Sequence, residues 1–159
     1  MDKIQKMKET ERISKLFGQL YNGDPWIDVH VLAALKKVSG HQAATKVLPN
    51  CNSIWEITNH LIGWRENILQ RIQGKTEKSP ADNYFRPISD NSEEAWMATL
   101  NRLDRSQRDW IDLLDRLDPE NLDTSYPPGT FSSYELVHGI IQHDAYHLGQ
   151  IVLLVKQFH

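Results

Sequence analysis

The chain has 159 residues, 40% of them apolar and 25% charged, with 18 Lys+Arg against 21 Asp+Glu and a net charge of −3. That is the composition of one globular domain, spanning 1–159, long enough to bury a core without staples. The two charge signs are interspersed with no basic stripe, which argues against nucleic acid as the main partner.

No apolar run approaches membrane-spanning length, so no membrane is expected as a partner. The start, Met1-Asp2-Lys3-Ile4-Gln5-Lys6, lacks the apolar core of a signal peptide, and a cytoplasmic setting is expected. Cys51 is the single cysteine, which leaves no internal disulfide and no cysteine-based metal knuckle.

Helical periodicity dominates, and alternation of period two is absent. A first helix is expected over residues 3–21, with Ile13, Leu16, Phe17 and Leu20 as its inner stripe. Asn22-Gly23-Asp24-Pro25 stops it, since glycine suits the left-handed position after a helix and proline cannot continue one. Trp26 follows, then a short helix over 28–37 with Val31, Ala34 and Leu35 facing inward, and a further short helical piece within 38–47.

Ser53-Ile54-Trp55-Glu56 matches the capping box, in which the serine and the glutamate satisfy each other's backbone N–H groups. The helix it opens runs to about residue 73, with Ile57, His60 or Leu61, Trp64 and Ile68 inward. Residues 75–90 form a polar loop whose Tyr84 and Phe85 tuck against the bundle. The clearest long helix covers 91–117, where Trp96, Leu100, Leu103, Trp110, Leu114 and Leu117 make an apolar seam that Gln107 interrupts. Proline at a favoured first helical position opens a turn at Asp118-Pro119-Glu120. An ordered loop containing Tyr126-Pro127-Pro128-Gly129 follows. A second capping box, Ser132-Ser133-Tyr134-Glu135, then begins the last helix, which extends to about residue 157. Four long helices with short extra helices after the first make an all-α, four-helix bundle.

In the last helix His143 and His147 stand four residues apart. At about 100° per residue both imidazoles leave one face, about 40° apart, together with Leu136, Ile140, Ile151 and Leu154. Two neutral imidazoles directed into a bundle can hold one metal ion, and a third ligand must come from another helix. Of the remaining histidines, His30 is off the stripe of its short helix and is expected in solvent, and His41 lies in a polar turn. His138 is about 140° around the helix from His143, and His159 is terminal. His60, between Ile57 and Trp64 on an inner stripe, is the third candidate, with a hydrogen-bonded core histidine as the alternative reading.

Gly23-Asp24-Pro25-Trp26, Ser53-Ile54-Trp55-Glu56 with Asn59-His60-Leu61-Ile62-Gly63-Trp64-Arg65, and Gln142-His143-Asp144-Ala145-Tyr146-His147-Leu148-Gly149-Gln150-Ile151 together resemble the DinB-like (DinB/YfiT-like) family. The likeness follows nearly the whole chain in order and spacing and is weakest over 75–90. It implies an up-down-down-up bundle and a divalent metal held by three histidines, which by position are His60, His143 and His147. It further implies a homodimer, and a metal-dependent hydrolase or a thiol S-transferase using a low-molecular-weight thiol such as bacillithiol.

Three imidazoles leave a coordination position for water or substrate, so the expected chemistry is attack of metal-bound water or thiolate on a small electrophilic substrate. Nitrogen ligation suits zinc or nickel first, with iron, copper or manganese as further options. Glu56, one turn before His60, is either a general base or simply the capping residue, and the capping role is favoured. Trp64 and Trp26 are candidates to line the pocket, with plain core as the alternative for each. Gln107 either faces the cavity or is bonded within the core. Asp144 either orients a group on a neighbouring helix or is exposed, and Tyr146 is expected to pack against another helix. No Ser-His-Asp arrangement, phosphate-binding glycine loop or H-E-x-x-H is present. The competing class is a non-catalytic metal- or small-ligand-binding bundle, such as a stress protein.

Overall fold

The computed structural model describes residues 7–125 and 130–159. The expected loop at Tyr126-Pro127-Pro128-Gly129 therefore lies outside the described residues, as does the expected helical stretch over 3–6. The helices are α1 (Glu9–Asn22), α2 (Val31–Leu35), α3 (Gly40–Ala44), α4 (Ile54–Ile72), α5 (Glu93–Arg116) and α6 (Ser133–Val155), with 3₁₀ turns at Pro119–Asp123 and Lys156–Phe158. Among the described residues there is no β-strand, only an isolated bridge between Ser125 and Ser132.

The helix starts follow from their caps. Ser53 Oγ accepts from the Glu56 N–H at 3.2 Å while Glu56 Oε2 accepts from the Ser53 N–H at 2.7 Å. Ser132 and Glu135 repeat the exchange at 3.2 and 2.7 Å. Each reciprocal pair satisfies donors that a helix terminus otherwise leaves open. The same logic corrects the start of α1: Glu11 Oε2 takes the Lys8 N–H at 2.9 Å, so the helix begins at Glu9 and Met7 and Lys8 are not helical.

Side-chain pairs give the helix directions. Tyr21 bonds Asp104 and Ser14 bonds Asp115, so α1 and α5 are antiparallel. Trp55 bonds Thr99 and Arg65 bonds Gln107, so α4 and α5 run together. Ile57 neighbours Leu154 at one end of the α4–α6 contact, and Ile68 neighbours Ile140 at the other, so these two are antiparallel. The result is an up-down-down-up bundle, as expected.

The apolar core divides into two clusters. One joins Leu20, Leu35, Ile57, Leu61, Trp96, Leu103, Leu148 and Ile151, among others. The second joins Ile13, Phe17, Ile68, Trp110, Leu114, Val137 and Ile140. Among the buried polar side chains of α4, α5 and α6, Arg65, Asn67, Ser106, Gln107, Asp144 and His147 fall in sequence between the two clusters, and His60 lies one turn before Trp64 at the end of the first. A polar layer thus crosses the middle of the bundle.

Leu16 departs from its expected inner position, being 45% exposed. Thr10, Ile13, Phe17, Leu20 and Tyr21 define the buried stripe of α1, and Leu16 lies about 90° from its centre. Leu117, the expected end of the α5 seam, is only half-buried just past the helix.

Candidate metal centre

His60 on α4 meets His143 and His147 on α6, and one ring nitrogen from each lies within 4.8 Å of the others. The Nε2 atoms of His60 and His143 are 2.9 Å apart. His60 and His147 are buried, whereas the His143 side chain is 25% exposed, so the cluster opens to solvent along that residue.

The segment after α4 straps His60 in place. The Asn83 carbonyl can only accept, so His60 Nδ1 donates to it, at 2.6 Å. Phe85 stacks on the His60 ring with centroids 4.0 Å apart. Asn83 and Tyr84 both have positive φ, 50° and 66°. The second is costly for a bulky residue and persists only where the surroundings hold it. The hold is visible: Tyr84 Oη accepts from Asn67 Nδ2, and its ring lies so close over Gly63 that a Cβ there would come within 2.2 Å of it. Trp64 Nε1 completes the strap by donating to Asn83 Oδ1 at 2.9 Å. The tucking of Tyr84 and Phe85 was expected, but Asn83 was missed, because a backbone carbonyl carries no signal in a residue pattern.

His147 Nδ1 donates to Gln150 Oε1 at 2.7 Å. Both Nδ1–H groups being engaged, Nε2 of His60 and of His147 each present a lone pair, the tautomer that metal ligation requires. His143 supplies the test of fit. Its Nδ1 and Asp144 Oδ1 are both buried without a hydrogen-bond partner and lie 3.9 Å apart. If His143 Nε2 donated to His60, both of these orphaned atoms would be acceptors. If a cation takes the three Nε2 lone pairs, His143 Nδ1 carries the proton, with a carboxylate oxygen 3.9 Å away. The donor set and the orphaned pair therefore fit a divalent metal ion.

Burial holds His60 well below the usual imidazole range, at about 4, with the neighbouring His143 and His147 adding to the effect and the Asn83 carbonyl opposing it. Burial lowers His147 as well, against the bond to Gln150. Both are thus neutral near pH 7, ready to ligate without first losing a proton.

Asp144 resolves in favour of orienting a neighbouring helix: it is 0% exposed, and its Oδ2 takes both Nη2 and Nε of Arg65 at 2.6 and 2.8 Å. Arg65 Nη1 donates to Gln107 Oε1 at 2.8 Å, which gives Gln107 its partner within the core. Glu56 has one oxygen on the Ser53 N–H and the other 3.1 Å from Lys46 Nζ, so both are engaged in the cap and an ion pair.

Trp64 borders the cluster, with its ring 6.4 Å from that of His143. Trp26, the other tryptophan expected to line the pocket, is 96% exposed in the turn after α1; with Asn22-Gly23-Asp24-Pro25 ending the helix, it has nothing to pack against. Tyr146, expected against another helix, is also on the surface, 65% exposed, with its ring edge-on to His147.

The other histidines stay outside the cluster. His30, expected in solvent, is half-buried and caps α2 by accepting the Ala33 N–H at 3.1 Å. His41 is exposed, and His138 packs on Tyr134 with centroids 4.3 Å apart. The terminal His159 Nε2 donates to the Lys37 carbonyl at 3.0 Å.

Beside His143 a groove of about 750 Å³ runs between α4 and α6, bordered by Trp64, Ile68, Leu136 and Ile140. Cys51 is free and exposed elsewhere on the surface, next to the start of α4. Among the described residues no helix is long and apolar enough to cross a membrane.

The family model described as the DinB superfamily matches residues 30–151, which include all three histidines of the cluster. No curated protein and no solved structure matches the chain.

Proposed function

The chain belongs to the DinB superfamily, and on that premise we propose that it is a divalent-metal-dependent enzyme acting on a small electrophilic substrate, as a hydrolase or as a thiol S-transferase. His60, His143 and His147 are the proposed ligands. A divalent ion there supplies Lewis acidity and lowers the pKa of a water or thiol that joins it. Zinc or nickel suits the all-nitrogen donor set, with iron and manganese as further candidates.

The observation that carries the reading is the uneven exposure of the ligands: two are buried and His143 opens onto a groove. Ligation closed on every side would suit a structural metal, whereas access beside one ligand suits a reacting one.

The chain's own residues have distinct tasks in this scheme. Asn83 and Gln150 hold His60 and His147 in the tautomer with Nε2 free. Phe85 covers one face of the His60 ring and keeps water from it. Asp144, anchored by Arg65, presents an oxygen toward His143 Nδ1. Homodimerisation is carried over from the family resemblance, and a cytoplasmic setting from the composition, in which Cys51 is the one cysteine.

An activity screen of metal-loaded protein against small electrophiles, with and without low-molecular-weight thiols, tests the proposal. Turnover that disappears when thiol is withheld selects the transferase, and turnover in water alone selects the hydrolase. No turnover in either arm overturns the enzyme reading in favour of a metal-binding protein.

A further inference from the structure

The groove beside His143 differs in character from the polar layer it adjoins. Its lining is largely apolar, from Trp64 and Ile68 of α4, Leu136, Ile140 and Tyr134 of α6 and Phe131 just before it, with His138 and Gln142 as polar edges. Phe131 and Tyr134, 58% and 40% exposed, give the groove an aromatic edge open to solvent. Its volume of about 750 Å³ falls in the range of small-molecule sites, roughly 300–1,000 Å³.

The charges around it narrow the occupant. Among the described residues neither lysine nor arginine borders the groove, and the one carboxylate that does, Glu135, is engaged by the Ser132 N–H and hydroxyl at 2.7 and 2.9 Å. Away from the His143 end, where a bound ion would supply positive charge, a carboxylate or phosphate ester would lie in the groove without a counter-charge, which is costly once desolvated. Arginines occur instead in a smaller recess of about 240 Å³ near Gly63, which His143 does not border and where Arg102 is already paired with Glu66.

We propose that this groove is the substrate site, and that it takes uncharged, largely apolar molecules, aromatic or aliphatic, whose polar end lies at His143. The assignment of that end rests on the three-histidine cluster being the reaction centre, while the groove's preference for uncharged ligands does not.

Two dyes with nearly the same rings isolate the charge. N-Phenyl-1-naphthylamine is uncharged, and 8-anilino-1-naphthalenesulfonate adds a sulfonate. Fluorescence titration of the full, metal-free chain is expected to give tighter binding of the uncharged dye by about tenfold or more. Gly139 borders the groove, and a Cβ there would meet nothing within 4 Å. Gly139→Leu therefore fills the groove without displacing backbone, and helix propensity favours the change. The variant is expected to keep its melting temperature and its metal affinity and to lose uncharged-dye binding by about tenfold. Cobalt bound to the wild-type chain is expected to quench the bound dye, because the two sites share Trp64 and His143.

Equal or tighter binding of the sulfonated dye overturns the proposal, as does uncharged-dye binding that Gly139→Leu leaves intact. Sedimentation showing a wild-type dimer that Gly139→Leu dissociates also overturns it, since the groove would then be covered by a second copy. Dye binding without metal binding sinks only the reaction centre, and metal binding without dye binding sinks only the groove.

Discussion

Arg65 Nη2 and Asp144 Oδ2 are 2.6 Å apart, and their side chains are 1% and 0% exposed. Nε and Nη2 both reach the same oxygen, which leaves Oδ1 of Asp144 unbonded on the side of His143. The pair fixes α4 against α6 at the level where His60 must meet His143. Such a pair need not stabilise the fold relative to apolar residues, but losing one partner strands a buried charge. Arg65→Met and Asp144→Leu are each expected to cost about 3–5 kcal/mol in urea denaturation, and the double substitution to recover much of that loss. Equal losses that simply add would show that the two groups do not interact.

Gln150 is partly exposed and holds Nδ1 of the buried His147. Gln150→Leu is expected to cost about 1–3 kcal/mol, because it strands the buried His147 Nδ1–H, and to weaken metal binding by about 10–100-fold. Competition with a chromophoric chelator measures the second quantity.

Gly63 is where the strap over His60 touches α4. A methyl group there would meet Tyr84 Cγ at 2.2 Å and Cβ at 2.7 Å, atoms close to the backbone that cannot swing aside. Gly63→Ala is expected to lift the strap, costing about 1–3 kcal/mol as overpacking does and exposing residues 75–92 to protease. Limited proteolysis of the variant beside the wild type reads this directly.

His60 titrates at about 4 in the folded chain against 6.5 for a free imidazole. Between those values the unfolded chain binds the extra proton, so stability rises with pH through that window. His60's contribution is complete above about pH 6.5 and is lost as pH falls toward 4, to a total of up to about 3 kcal/mol. His147, also lowered, acts in the same direction. Denaturation of metal-free protein at intervals across this range checks the slope, and His60→Gln is expected to flatten it.

The bundle was legible because periodicity and two capping boxes mark the long helices, and those caps are local exchanges between residues three apart. The three histidines were legible for the same reason: spacing alone puts His143 and His147 on one face and His60 on an inner stripe. What lies around them was not. Asp144 sits about 100° from His143 on its helix, a direction that reads equally as solvent or as a neighbouring helix until Arg65 of α4 is seen to fill it. Gln107 is intelligible only through the same arginine. Trp26 illustrates the opposite error, since a large apolar residue beside a helix stop carries no periodic constraint and here stands in solvent. Leu16 missed the core because a run of closely spaced apolar residues spans more of the helix circumference than one stripe can bury.

The central claim is that His60, His143 and His147 together hold one divalent ion. Elemental analysis of untagged protein, with each histidine replaced singly by alanine, tests it most directly. One equivalent of metal in the wild type and its loss in His60→Ala, His143→Ala and His147→Ala, with helical content kept, is the result predicted. Metal content unchanged in all three variants would contradict it.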